Sequence, residues 1–456
     1  MNIRTIRLTV GRRGATAWRA GALALALLSA LTLPGPANAD VVTDWNEIAE
    51  AVAPLFGGPH QQPRVKAIVQ IAVHDALNAI KPRYERYTGP TRAHRGASPD
   101  AAVAAAASQT LLELLAPVPD SPAKQAAIDR IEEAYAAIVG PEPYDAATQA
   151  GIDSGATAAE AILVLREADG SDTPNLPYTL GPAPGVYQPT PNPEFPAVIT
   201  PSFAGLAHVT PFALRHNTQF KVKPGAIFDL TSAAYARAYN EVKQVGDASV
   251  RGARPDSAES DIARFWPGGG ANWNQTTREE IVQGRGLDRW QHARLFALLN
   301  IAQADAAIAN QVWKYTYNFW RPVTAIRWAD DGNPDTDSDE SWRPFLATPP
   351  YPDYPCALPT ETGAATEVLR QFFGTDDIAF SRTFNAPAVP LPEMMELPAK
   401  TITRSFNSLS EAAAESQDAR VYAGIHFREG CKAGARLGSQ IRRFVVRHEL
   451  LPLKGK

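Results

Sequence analysis

The stretch His292–Pro322, HARLFALLNIAQADAAIANQVWKYTYNFWRP, decides the fold class. Apolar residues recur every three or four positions, at Leu295, Leu298, Ala302, Ala306, Ala309 and Trp313. That period is helical. It predicts one helix over 288–321, which Pro322 cannot continue. The same reading outward predicts helices over 64–80, 100–115, 122–139 and 144–168, then 229–246 and 276–282, and finally about 360–373, 396–416 and 420–448. Between the early and late groups, residues 170–225 are rich in Pro, Gly, Thr and Asn and have no helical period. A stretch of that length is expected to wrap over the helices. Strand-like alternation is scarce, and no repeat of 20–50 residues is visible. The expected fold is all-α: helical bundles in two halves, about 40–170 and about 226–456, joined by long proline-rich loops.

Composition fits this reading. The chain has 456 residues, 45% hydrophobic and 20% charged, a globular balance. Its 39 prolines and 31 glycines have no period, which excludes collagen. Residues 1–39 hold five arginines and no acid; beyond them lie 39 basic and 48 acidic residues, a net charge of −9. Such a surface has no general attraction for nucleic acid or an anionic membrane. A site for an anion must be a local cluster of cations.

The first 39 residues read as an export leader: arginines, an apolar stretch from Ala20 to Leu33, and Ala37-Asn38-Ala39 as the cleavage pattern before Asp40. The expected mature chain, 40–456, is exported to the periplasm or beyond and has no membrane segment. Two cysteines, Cys356 and Cys431, suggest one disulfide in an oxidising compartment, with two buried free thiols as the alternative.

Three short stretches carry chemistry. In Lys314-Tyr-Thr-Tyr-Asn-Phe-Trp-Arg321-Pro322, a spacing of seven on a helix is about 700°. Lys314 and Arg321 would then share a face, about 10.5 Å apart. Trp313, Tyr315, Tyr317, Phe319 and Trp320 surround them and argue for burial. Pro349-Pro-Tyr-Pro-Asp-Tyr-Pro355-Cys356-Ala357-Leu358-Pro359-Thr-Glu361 is a stiff loop entering a helix. A helix N-terminus offers free N–H groups to an anion, and Pro359 suits the first helical position. Arg420-Val-Tyr-Ala-Gly-Ile-His426 adds a guanidinium and an imidazole. His74, in AVHDA, reads as a core histidine. The acidic turn Asp330–Glu340 lacks EF-hand spacing and reads as solvated.

In this order, K-x6-R-P, then P-x-x-helix, then R-x5-H resembles the vanadium-dependent haloperoxidase and acid phosphatase superfamily, whose pattern is K-x6-R-P, P-S-G-H, S-R-x5-H. The opening DWNEIAEAV with RVKAIVQIAVHDALNAI, the run from His292 to Arg327, and DGNPDTDSDESWRPFLATPPYPDYP all look like secreted bacterial members. The resemblance implies vanadate as cofactor, with phosphate as a competing occupant. It implies that Lys314, Arg321 and Arg420 neutralise the oxygens, with Cys356 and Ala357 also at the anion. It implies that His426 binds the metal axially, or is phosphorylated in the phosphatases. The expected activity is peroxide-dependent halide oxidation, with hydrogen peroxide, a halide and a small organic acceptor as partners. An oxyanion-binding protein without turnover and an acid phosphatase through phospho-His426 are the alternatives.

The P-S-G-H segment departs from the pattern. Cys356 replaces a good donor by a weak one, Ala357 keeps the backbone N–H, and Leu358 removes the acid/base imidazole, a group worth roughly 10²–10⁴ in rate. Ala419 replaces the serine before Arg420. Glu361, three residues beyond Leu358, is a candidate acid/base; its other reading is a complement to the helix dipole. His60, His74, His94, His208, His216, His292 and His448 can reach the site only through tertiary contact.

Overall fold

A computed structural model describes residues 40–190, 200–391 and 396–453. The expected leader, 1–39, lies outside them. Helices α1 (Val41–Val52), α2 (Gln62–Ile80), α3 (Pro99–Leu115), α4 (Pro122–Val139) and α5 (Ala146–Arg166) form the first group. Each of α3, α4 and α5 starts where a Ser or Asp side chain accepts a backbone N–H: Ser98, Ser121 and Asp145. The small residues of α3 and α5 let these two helices lie close. Gly151 and Gly155 leave no room for a Cβ against the carbonyls of Ser98 and Ala102.

The second group comprises α6 (Ala233–Val245), α7 (Ala248–Gly252), α8 (Ala258–Phe265), α9 (Trp273–Thr276), α10 (Arg289–Tyr317), α11 (Pro322–Arg327), α12 (Ala357–Phe373), α13 (Leu409–Tyr422) and α14 (Arg428–His448). The axis of the molecule is α10, whose side chains from Leu295 to Gln311 are all buried. It touches α2 on one side and α12 and α14 on the other. Apolar side chains of both groups form one core cluster around it. No described helix is long and apolar enough to cross a membrane.

The long connection from 170 onward is tied to α10 and its neighbours. The buried carboxylate of Asp305 accepts the backbone N–H groups of Phe212, Ala213 and Leu214 at 2.6–2.9 Å. Burial, opposed by those three hydrogen bonds, pushes it up to about 6. Earlier in the same connection, Ser202 N–H donates to Pro350 O, and the Tyr315 hydroxyl donates to Ser202 O.

Several boundaries differ from the sequence expectation. The helix over 288–321 stops at Tyr317, where Asn318 takes a left-handed conformation (φ 49°) as its C-cap. Residues 396–406, expected as helix, are instead strands β3 (Glu396–Leu397) and β4 (Lys400–Phe406). They pair antiparallel with β2 (Val389–Pro390) and β1 (Phe380–Ala386). The sequence Lys-Thr-Ile-Thr-Arg-Ser-Phe alternates buried and exposed positions, and its β-branched residues suit a strand. The expected 420–448 helix is broken at Gly424, whose φ of 74° suits glycine. The fold class itself is all-α, as expected.

Candidate functional site

The site forms where the end of α10, the loop before α12 and the α13–α14 junction meet. Lys314 and Arg321 do not share a helix face. Arg321 lies past the break, extended before Pro322, at the N-cap of α11. The two still converge, by a turn rather than by helical period. Both are fully buried. The Lys314 ammonium donates to the carbonyls of Pro352 and Asp353, each at 2.9 Å. Arg321 donates through Nε to Tyr351 O at 2.7 Å and through Nη1 to Ile425 O at 2.8 Å. Arg420, on the last turn of α13, is 6% exposed and adds a third cation.

His426 sits just before α14, 1% exposed, with its Nε2 2.8 Å from Arg321 Nη1. A guanidinium can only donate, so Nε2 is the acceptor and the ring is neutral. Burial, then the positive charges of Arg321, Lys314 and Arg420, hold His426 well below its ordinary range. Its Nδ1 lies 2.8 Å from Asp353 Oδ1, a close contact rather than an aligned hydrogen bond. That carboxylate favours the proton on Nδ1, so the Nε2 lone pair, which here accepts from Arg321, is the one a ligand would take in its place. Burial pushes Asp353 up to about 7 against the pull of Arg321 and Lys314.

The helix after the loop begins at Ala357, not near residue 360, so Pro359 is its third residue. Cys356 is the N-cap and its side chain caps nothing. The N–H groups of the first turn are therefore open to an anion. Asn310 on α10 fixes this turn by donating to Thr360 Oγ1 at 2.9 Å. Cys356 and Cys431 are buried and free, so the expected disulfide is absent. The second reading of the pair, two buried thiols, is the one found. Burial raises both thiols, but the hydrogen bond with Cys431 and the cations Arg420, Lys314 and Arg321 bring Cys356 down.

Leu358 is half-buried against the core. Glu361 caps nothing; its Oε1 lies 2.5 Å from Nδ1 of His60. His74 is fully buried beside Asp75, 2.9 Å from Nδ1 to Oδ1, as a core residue. In the acidic turn, Asp331 accepts from the Tyr235 and Thr336 hydroxyls and from Asn333 N–H, which closes the loop on itself. Sequence reasoning passed over Asp353 and Tyr351, both inside YPDYP, and Asn310. Only the acid in an otherwise apolar loop hinted at Asp353.

Whether a tetrahedral oxyanion fits can be judged from unpaired donors. Arg321 Nη2 and Arg420 Nε are buried without a partner. Lys314 has two of its three N–H groups on carbonyls, and the α12 N-terminus is uncapped. A buried donor without a partner is unfavourable by about 1–3 kcal/mol. An anion on these donors would satisfy them together. The residues present fit the oxygens of vanadate or phosphate and the His426 coordination; at 358 the side chain offers no proton.

Residues 294–455 match a family model described as the VCPO second helical-bundle domain. Over 185 residues the chain is 29% identical to a vanadium chloroperoxidase of Curvularia inaequalis, a match covering 33% of this chain and 30% of that enzyme. The crystal structure of a bacterial vanadium-dependent iodoperoxidase superposes with a TM-score of 0.71 at 23% identity, over 92% of this chain and 99% of the other. A holo-type bacterial vanadium-dependent chloroperoxidase superposes at 0.65 and 17% identity, over 88% and 96%. The second helical bundle thus matches that family model, and the chain has the fold of these vanadium-dependent haloperoxidase structures.

Proposed function

We propose that the protein is a vanadate-dependent, haloperoxidase-like oxidoreductase that uses hydrogen peroxide to oxidise a halide, with proton handling altered by Leu358. One observation carries the reading: three buried cations surround a neutral imidazole, and two of their donors have no partner. Burying three cations against the single carboxylate of Asp353 leaves a surplus of positive charge, which is unfavourable. A built site of this kind asks for a polyanion.

Vanadate, when bound, supplies Lewis acidity that polarises peroxide toward the halide. Lys314, Arg321 and Arg420 hold the anion's charge, Arg being able to do so bidentately. His426 offers the Nε2 lone pair, and Asp353 keeps the ring in that tautomer. Fully buried Trp320 and Phe427 and nearly buried Phe319 exclude water, which strengthens each of these contacts.

A second reading is favoured by Leu358: an oxyanion-binding member of the fold without turnover. The discriminating experiment strips the protein of phosphate, loads it with orthovanadate, and measures peroxide-dependent bromination of a diketone reporter. The expected result is vanadate-dependent turnover that excess phosphate suppresses. Folded protein that binds vanadate and brominates nothing would move the assignment to the second reading.

A further inference from the structure

We propose that His60, held between Glu361 and Tyr351, is the proton-handling histidine of this site and stands in for the imidazole that Leu358 replaces. The inference rests on the haloperoxidase reading and deepens it.

His60 lies in the tight turn Gly57–Gln61 that precedes α2, and is 6% exposed. At Gly58 a Cβ would come within 2.6 Å of the Phe203 ring, so the turn closes only with glycine there. The imidazole uses both nitrogens: Nδ1 is 2.5 Å from Glu361 Oε1 and Nε2 is 3.0 Å from the Tyr351 hydroxyl. Its ring stands edge-on to Phe203 and Tyr351, at 5.0 and 5.6 Å. Phe203 is itself held at φ 66°, a left-handed conformation that costs a bulky residue about 1–3 kcal/mol.

Tyr351 links this group to the cations. Its ring has Lys314 Nζ at 5.1 Å and Arg321 Cζ at 4.8 Å from the centroid, and its carbonyl accepts Arg321 Nε. Glu361, at the other end, keeps 18% of its side chain exposed, against 7% for His60. A hydrogen-bonded chain therefore runs from solvent at Glu361, through His60, to the hydroxyl of Tyr351, the residue whose ring face carries two of the anion's cations. The chain starts one helical turn from Leu358 on the same side of α12. A merely structural role explains it poorly, because buried ionisable groups add little stability over apolar packing.

Halide oxidation takes up one proton per turnover: H2O2, X⁻ and H⁺ give HOX and H2O. With His60 as imidazolium, Nδ1–H donates to Glu361 and Nε2–H to the phenolic oxygen. The hydrogen of Tyr351 is then free to turn toward the anion. Tyr351 O–H gives the proton, His60 Nε2–H replaces it, and solvent reprotonates the imidazole. The environment favours the imidazolium: burial lowers His60, but the Tyr351 oxygen on Nε2 and the Glu361 carboxylate on Nδ1 raise it above its ordinary range. Lys66 on α2 lies beyond Glu361, and Arg321 and Arg420 lie beyond Tyr351.

The test compares wild type with H60Q and Y351F in vanadate-loaded protein. Turnover should fall about 100-fold or more in each, while phosphate affinity changes less than about threefold. At saturating vanadate, the wild-type fall in activity as pH rises above the ordinary histidine range should be absent from H60Q. Adding L358H to H60Q should restore turnover. Side-chain ¹⁵N resonances of His60 should shift on titration with inorganic phosphate in wild type but not in Y351F. Variants with undiminished turnover and an unchanged profile would overturn the proposal. A wild type that binds vanadate and oxidises no halide would sink the haloperoxidase reading instead. The phosphate titration then decides the relay alone, and His60 resonances blind to phosphate would overturn it.

Discussion

At the scale of the residue, the site is a store of positive charge under strain. Burial, then Arg321, lowers the Lys314 ammonium to about 7, and burial raises Asp353 to about 7. An oxyanion stabilises the ammonium and disfavours the carboxylate. Above pH 7 its binding must therefore drive proton uptake, and affinity must fall as pH rises. Sulfate is the suitable probe, because its charge is constant through this range. Calorimetry in two buffers of different ionisation enthalpy should show uptake at pH 8 and affinity dropping by up to about tenfold per pH unit for each proton taken up. Lys314→Met should weaken the dependence, leaving the part owed to Asp353; a flat wild-type profile would mean that the cluster is already neutralised. The cations and His426 were legible in the sequence as two short spacings, K-x6-R-P and R-x5-H, which only the resemblance to a known superfamily joined into one site. Asp353, Tyr351 and His60 were not. The partner of His60 lies 301 positions away, and no local period marks a residue that works through a distant contact.

At the scale of the element, the same contrast holds. Lys314 and Arg321 were rightly paired but for a mistaken reason, since Asn318 ends the helix before Arg321 is reached. Two sequence features, an asparagine able to turn left-handed and a residue forced extended by Pro322, were sufficient to show that break. The strand over 400–406 was hidden by the alanine-rich helix that follows it. What no pattern displayed is how closely α12 and α14 lie. A Cβ at Gly434 would meet Cys356 O at 2.3 Å, and one at Gly438 would meet Thr360 O at 2.1 Å. These glycines seat the first turn of α12 against the cations. Gly434→Ala should therefore lower stability by roughly 1–3 kcal/mol in urea unfolding, and weaken phosphate binding by displacing Cys356 and the N–H groups after it. Gln440→Ala, on the exposed side of α14, should stay within about 0.5 kcal/mol. Full stability and full phosphate affinity in Gly434→Ala would show that this contact does not set the site.

At the scale of the whole molecule, the buried cluster sets folding against function. The core around α10 is apolar and continuous, and into it the chain inserts Lys314, Arg321 and Arg420. Without an anion these cations oppose folding; with one they assist it. Ligand at a hundredfold excess over its dissociation constant adds about 2.7 kcal/mol, so saturating phosphate or vanadate should raise the unfolding midpoint by about 3 °C in a chain of this size. Arg420 separates the two effects, since its Nε has no protein partner. Replacing it by an apolar side chain of similar length removes a buried charge that the protein does not pair. Arg420→Met should unfold at the wild-type temperature or above it when anion-free, and should lose most of the shift with phosphate. Differential scanning fluorimetry with and without phosphate reads both quantities. A lower anion-free midpoint together with a preserved phosphate shift would place Arg420 in the structural frame and outside the anion site. The opposite pattern, a more stable protein that no longer senses the anion, is what a cation buried for binding rather than for folding must give.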